Sequence, residues 1–394
     1  MISNFRKISI ILYILLAGTV VPVSARTGGN LYRIMMDGEG NPVRLIFVRS
    51  LKEKNPESFL IERLGYDSPV VSENRYSTVF YDRRRSGEIP VLCFHRIGED
   101  SRYELSLNRV HHLMAALKSK GYYPMSDRDF AAGDFSVIPS GMKPFVIGAD
   151  DAGATQILWD EQTMSVYDSG GNPGNWSLEP DCLASIFTRY FPKSGNHYNF
   201  TFYMSFDAIP FRQLGGQSNP GFPYEGINVV RDKIRYAQKE FYLGHHSLTH
   251  TFREEMSGEQ LFQEIKETDR IISSYLGYPV KLQTLAYPYG SGRFTPEERR
   301  ELMQAIDDER FPQIAYDLDG SFSLTPWSNG FQVWNISRFS VENSSFDLLI
   351  KRLSSPYIYQ SRRVLLIRST DKNLKLESYH LDLGGDDIVY VYIP

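Results

Sequence analysis

From Gly87 onward, short apolar runs alternate along the chain with stretches of helical period. The runs at 90–94, 145–148, 200–204, 241–244, 281–286, 313–316 and 364–367 have the length and β-branched or aromatic content of buried strands. Between them, 106–120, 180–190, 229–239, 257–276 and 296–307 place apolar residues at helical spacing. The helix at 257–276 is the most sharply marked, with Ser257 and Gln260 as a capping box and Leu261, Ile265, Thr268, Ile272 and Tyr275 on one face. Strands that regularly alternate with helices predict a parallel sheet, and about seven such units favour a closed or nearly closed barrel. No glycine-rich phosphate loop follows the first strand, so a dinucleotide-binding fold lacks its signature.

Before Gly87 the pattern differs. Leu31-Tyr-Arg-Ile-Met and Val43-Arg-Leu-Ile-Phe-Val48 flank a turn-rich Asp37-Gly-Glu-Gly-Asn, which predicts a hairpin in a small β-rich N-terminal extension over 26–87. Residues 1–25 read as a signal peptide: Arg6 and Lys7 precede an apolar core, and Val23-Ser-Ala25 fits a cleavage site. Export follows, to a secreted, periplasmic or cell-surface location, with no stable membrane insertion after cleavage. An uncleaved anchor is the alternative, because the apolar run borders on the length of a spanning helix. After 370, Ile388-Val-Tyr-Val-Tyr-Ile predicts one more strand, at a sheet edge, within a tail over 371–394.

Composition narrows the classes. With 42% apolar and 23% charged residues the chain is of ordinary globular make-up, and a net charge of -4 leaves no electrostatic footprint for nucleic acid. The basic run Arg83 to Arg85 reads as a solvated loop. Cys93 lies in an apolar run and reads as a core residue; a single bridge to Cys182 is the alternative. The long connection after Ala154 carries Trp159 and Trp176, read as a surface loop with one buried aromatic or as the lining of a groove.

The chemistry lies at the strand ends. Lys143-Pro-Phe-Val-Ile-Gly-Ala runs straight into Asp150-Asp151, two carboxylates that cannot share the burial of the strand unpaired. His246-Ser-Leu-Thr-His250 follows another apolar run. Two histidines four apart also arise on packed faces, but joined to a strand-end carboxylate they make a three-ligand set with positions open for water and substrate. In a barrel, catalytic groups sit at the C-terminal ends of strands, where His95, Asp150, Asp151, His246, His250, Tyr289, Asp317 and Arg368 are expected.

In this order and at these separations, Asp150-Asp151, His246-Ser-Leu-Thr-His250 and Ala286-Tyr-Pro-Tyr-Gly290 resemble the NodB-homology polysaccharide deacetylases of carbohydrate esterase family 4. Ile89-Pro-Val-Leu-Cys-Phe-His95 resembles the opening strand, and the likeness spans roughly 88–370. The resemblance implies an α/β fold, a deformed (β/α)7-type barrel, with a divalent metal, most simply Zn2+, and hydrolysis of N-acetyl or O-acetyl groups on an acetylated polysaccharide. It implies Asp150 as general base, Asp151, His246 and His250 as metal ligands, and the Tyr289 N–H as oxyanion donor.

Two departures stand out. Arg368 occupies the place where the family's last barrel strand carries a histidine acid, and Ala286 stands where an arginine commonly orients the base. Arg338 is a candidate for that charge, with a core-edge salt bridge as the alternative. His95 is a candidate acid or wall residue, and His245 a candidate supporting residue behind the metal ligands. A glycan-binding barrel without turnover, and an amidase or esterase acting on a non-glycan substrate, are the competing functions.

Overall fold

The computed structural model describes residues 87–361 apart from 100–101, 136–137, 140, 161–176, 209, 212–226, 291–293 and 308–310, together with strands at 24–27, 30–36, 42–48, 71–74, 77–81, 363–368 and 388–392. The signal-peptide region before residue 24, the turn at 37–41, Arg83 to Arg85, Trp176 and the tail at 369–387 lie outside the described residues. Among the described residues no helix is long and apolar enough to cross a membrane.

Contacts divide the chain into two units. One comprises Ser86–Val137 and Lys143–Tyr359 and is the barrel. The strands along its main sheet are β1 (Val91–Phe94), β2 (Lys143–Ala149), β3 (Thr201–Met204), β4 (Tyr242–His245), β5 (Thr284–Ala286), β6 (Ile314–Tyr316) and β7 (Phe339–Ser340), and Tyr122–Pro124 pairs parallel with the start of β2 off that path. They are hydrogen-bonded in the order β6-β5-β4-β3-β2-β1-β7, every neighbouring pair parallel. The segment entering β7 also bonds back to β6, through Ala315 N to Val333 O, Ile336 N to Ala315 O and Asp317 N to Ile336 O. The sheet therefore curls round on itself, as a deformed (β/α)7-type barrel does.

The helices are α1 (Leu107–Ser119), α2 (Asp127–Ala132), α3 (Leu183–Tyr190), α4 (Ile227–Glu240), α5 (Gly258–Leu276), α6 (Pro296–Asp307) and α7 (Phe346–Arg352). Helix α5 starts at the expected capping box: the Ser257 side chain accepts from Gln260 N, and Gln260 Oε1 accepts from Ser257 N. Its buried stripe is Leu261, Ile265, Thr268, Ile272 and Leu276, with Tyr275 only partly covered.

Side-chain alternation along the strands sorts residues between two environments. Leu92, Phe94, Phe145, Ile147, Ala149, Phe202, Met204, Leu243 and Phe339 join the core built with α1, α3, α4 and α5. The alternate positions turn to the barrel interior, and continuing that phase by one residue brings His95, Asp150 and His246 onto the inner side at the C-terminal ends.

The second unit contains a seven-stranded sheet in the order Ser24–Thr27, Asn30–Met36, Pro42–Val48, Ile388–Tyr392, Arg363–Arg368, Ser77–Tyr81, Val71–Asn74. Asn30–Met36 and Pro42–Val48 are antiparallel neighbours. Two expectations are corrected here. The 364–367 run is not the last barrel strand: it pairs with Ser77–Tyr81 and Ile388–Tyr392, the barrel unit ends at Tyr359, and Arg368 leaves the set of barrel strand ends. An apolar run carries no mark of which sheet it joins, and the true last strand, β7, has only two residues behind a charged Arg338. Ile388–Tyr392 is likewise no edge strand, since it has a parallel neighbour on each side.

Candidate active site

Strand β2 delivers the two carboxylates into different surroundings. Asp150 is fully buried and its N–H donates to Phe94 O at 2.8 Å, still in the register of the sheet. Asp151 leaves that register with φ of 69° and is half exposed at its side chain. The amide of Gln156 braces this end, its Nε2 donating to His95 O at 2.7 Å and to Asp150 O at 2.5 Å, so that the ends of β1 and β2 are tied together.

Asp151, His246 and His250 converge. His246 Nε2 and His250 Nε2 each lie 3.2 Å from Asp151 Oδ1 and 3.2 Å from one another. His246 Nδ1 lies 2.8 Å from Ala286 O, and since a carbonyl only accepts, Nδ1 carries the hydrogen and Nε2 of the neutral ring offers its lone pair to the cluster. Asp151 Oδ1 is buried and makes no well-directed hydrogen bond despite its two close nitrogens. An equilateral set of one oxygen and two imidazole nitrogens suits a cation: tetrahedral donors roughly 2.0–2.2 Å from zinc stand roughly 3.3–3.6 Å apart. The three residues therefore fit a divalent metal.

Asp150 serves a different partner. Arg338 donates from Nη1 to Oδ1 at 2.7 Å and from Nη2 to Oδ2 at 2.8 Å, and its Nε donates to Asp317 O at 3.0 Å. Burial pushes the Asp150 carboxyl up, but the charge of Arg338, that of His246 and the paired hydrogen bonds outweigh it and bring the pKa to about 2. Burial likewise opposes ionisation of Asp151, and the two close histidines hold it below the usual carboxylate range. For His246, burial disfavours the charged ring, yet Asp150 and Asp151 raise its pKa.

These groups share one cavity of about 370 Å³, lined by His95, Asp150, Asp151, His246, His250 and Tyr289 among others. His95 is 8% exposed with Nδ1 unpartnered, and burial lowers its pKa. A His95 ring nitrogen lies within 4.8 Å of an Asp150 oxygen. Tyr289 stands at the mouth, its ring stacked on Phe252 at 3.9 Å and edge-on to His250 at 4.7 Å. A second cavity of about 630 Å³ adjoins through Tyr289 and Leu318 and is lined by Phe252, Glu254, Glu255, Asp317 and Asp319.

Backbone strain gathers at the same place. Tyr103, Asp151, Ala152, Ser247, His250 and Tyr289 all have positive φ, and among the described non-glycine residues only Phe211 does so elsewhere. Such conformations persist where the surroundings over-determine them, and they cluster at functional sites. The loop between the histidines is held from α5, where Glu264 accepts from Leu248 N at 3.1 Å and from the Thr249 hydroxyl at 2.5 Å.

Residues 227–305 match the family model described as polysaccharide deacetylase. Over that segment the chain is similar to polysaccharide deacetylases. The matched segment holds His246, His250 and Tyr289, while Asp150, Asp151 and Arg338 reach the same site from strands outside it. No curated protein matches. Among solved structures the chain is similar to the Streptococcus pyogenes deacetylase PplD in complex with acetate, at 14% identity, covering 69% of this chain and 100% of that one, TM-score 0.44. It is similar to IcaB from Ammonifex degensii at 18% identity, covering 68% and 98%, TM-score 0.43. It is similar to the putative polysaccharide deacetylase BA0330 from Bacillus anthracis at 13% identity, covering 86% and 99%, TM-score 0.45.

Asp150, Asp151, His246, His250, Tyr289, His95 and Arg338 thus meet at one end of the barrel. His245 does not: it turns to the helix side, fully buried, with Nε2 3.2 Å from Asp269 of α5. Trp159 lines no groove either, being buried edge-on against Tyr236. Cys93 and Cys182 are both free buried thiols. Sequence reasoning missed Gln156 and Glu264, whose amide and carboxylate carry no motif, and it missed Tyr103, which reaches the cavity through a strained turn.

Proposed function

We propose that the protein is an exported, metal-dependent hydrolase that removes acetyl groups, N-acetyl in the first place, from a polysaccharide. One observation carries the reading: a three-donor set for a cation lies beside a carboxylate that a buried arginine keeps ionised, in one cavity. Asp151, His246 and His250 would hold the cation, with Zn2+ suited to two imidazoles and one carboxylate. When bound, it supplies a polarised acetyl carbonyl and a water of lowered pKa beside the Asp150 carboxylate.

The residues of the chain do the rest. Asp150 takes the proton of the attacking water through the oxygen edge that Arg338 holds in place. The water oxygen bonds to the acetyl carbon, the carbonyl oxygen takes up charge, and the backbone N–H of Tyr289 donates to it. The C–N bond then breaks, and the proton taken by Asp150 passes to the departing amine, with the His95 ring, within 4.8 Å of an Asp150 oxygen, placed to relay it. The products are acetate and a free amino sugar. The signal-peptide pattern at 1–25 supports a secreted, periplasmic or cell-surface location, where such glycans lie.

The test is acetate release from N-acetylglucosamine oligomers, cell-wall glycan and acetylated xylan, with and without chelator, and with Asp150→Asn as control. Chelator-sensitive acetate that disappears in the Asp150 variant is the expected result. Stoichiometric zinc without acetate from any of the three would move the assignment to glycan binding or a non-glycan substrate.

A further inference from the structure

We propose that Asp127, Tyr203 and Tyr316 form a positioning column that sets the Arg338–Asp150 pair from the far end of the barrel; this rests on the deacetylase reading above. Asp127 is the first residue of α2 and enters the barrel at the N-terminal end of β3. Its carboxylate is fully enclosed and accepts three hydroxyls: Thr201 Oγ1 on Oδ2, and on Oδ1 Tyr203 at 3.0 Å and Tyr316 at 2.5 Å. A buried carboxylate is ordinarily destabilising, and this one lines neither cavity of the site, so its presence calls for a reason.

The two tyrosines supply it. Their rings meet edge to face at 5.9 Å, and the Arg338 guanidinium carbon lies 5.4 Å from the centroid of Tyr203 and 5.8 Å from that of Tyr316. A guanidinium held by two ring faces keeps its plane, and its N–H fork then points one way. Here that way is Asp150. Asp127 fixes the hydroxyl end of both rings, the rings fix the plane of Arg338, and Arg338 fixes the oxygen edge of Asp150. The neighbouring strands leave room for this stack: a Cβ on Gly148 would stand 2.6 Å from Tyr203 Cε2, and one on Gly244 2.6 Å from Tyr203 Cδ1. Ordinary packing of the barrel needs neither the two hydroxyls nor the carboxylate beneath them, since phenylalanines over an apolar residue would fill the space.

The test uses the full chain with Tyr203→Phe and Tyr316→Phe, singly and together, which keep both rings and remove only the bonds to Asp127. Wild-type acetate release from N-acetylglucosamine oligomers is measured first, followed by kcat, KM and zinc content of each variant per folded molecule, and crystal structures. The expected result for the double variant is a kcat lower by about tenfold or more, with KM within about twofold, zinc content unchanged, and Arg338 no longer bidentate on Asp150. A kcat within about twofold of wild type together with an intact pair at both oxygens overturns the column. Wild-type protein that releases no acetate removes the deacetylase reading alone; the Arg338 geometry in the crystals then decides the column. Should the double variant fail to fold, the single variants carry the same two readouts.

Discussion

Arg338 and Asp150 meet edge to edge, two N–H groups on two oxygens at 2.7 Å and 2.8 Å, with both side chains almost wholly buried. This is the fork that a guanidinium makes and an ammonium cannot. Removing the cation with Arg338→Leu leaves a carboxylate buried without a counter-charge, and such losses amount to about 3–5 kcal/mol. Arg338→Lys keeps a charge but loses the edge, so its expected signature is a milder loss of stability with kcat reduced by roughly 10- to 100-fold. Urea unfolding and acetate release on the same preparations check both; equal stability of the leucine variant and wild type would exclude the pair as a structural element.

The same pair sets a response to acid. The Asp150 carboxyl is depressed to about 2 in the folded state, against about 3.9 in an unfolded chain. A depressed carboxyl contributes stability that is present above its unfolded pKa and lost as pH falls through its folded pKa. For metal-free protein the expected loss is therefore about 2 kcal/mol between roughly pH 4 and pH 2. Unfolding free energies across that interval check it, with Asp150→Asn expected to remove this part of the slope.

Most strands and helices of the barrel were legible because each carries its own period: β1 to β6 overlap the predicted apolar runs, and the start of α5 is written in Ser257 and Gln260, whereas the short α2 and α7 were not predicted. The chemistry was legible for the same local reason, since Asp150-Asp151 and the two histidines are charged groups ending apolar runs. What escaped depends on contacts far apart in sequence. The Arg338–Asp150 bond joins residues 188 positions apart, so Arg338 could be named as a candidate for this charge but not told from an arginine in an ordinary salt bridge. The two-residue β7 was hidden behind the stronger apolar signal at 364–367, and Asp127 looks like any acidic residue in the first turn of a helix.

Metal binding should release protons. Burial disfavours the charged His246 ring, but Asp150 and Asp151 raise its pKa, so the metal-free ring keeps its proton to higher pH than a free imidazole does, and a cation must displace it. Zinc affinity is expected to fall as pH drops below that raised pKa, by about tenfold per pH unit for each proton displaced. Calorimetry in two buffers of different ionisation heat measures the proton count, and an affinity that does not change between pH 8 and pH 6 (about one unit either side of neutrality) would remove His246 from the ligand set.

Glycine at 148 is required by closeness rather than by φ. A methyl group there would press on the Tyr203 ring at 2.6 Å and on Thr201 O at 2.8 Å, and the second of these is backbone that cannot swing aside. Gly148→Ala should destabilise by about 1–3 kcal/mol, as overpacking in a filled interior does. It should also lower kcat, because the displaced ring flanks Arg338. Melting temperature and acetate release read the two effects separately.

Tyr289 separates backbone from side chain in one residue. Its backbone has a φ of 59° just after β5, while its ring, half exposed, stacks on Phe252 where both cavities are lined by Tyr289. If the N–H serves the oxyanion and the ring serves a sugar face, Tyr289→Ala should keep the first and lose the second. The expected result is kcat within about threefold and KM for N-acetylglucosamine oligomers raised by about five- to tenfold, with little change for a monomer, whose contacts end at the reacting acetyl group. Asparagine, which tolerates positive φ, is the companion variant, because alanine at this φ carries its own strain. A collapse of kcat in Tyr289→Asn at unchanged KM would place the phenol itself at the reacting atoms.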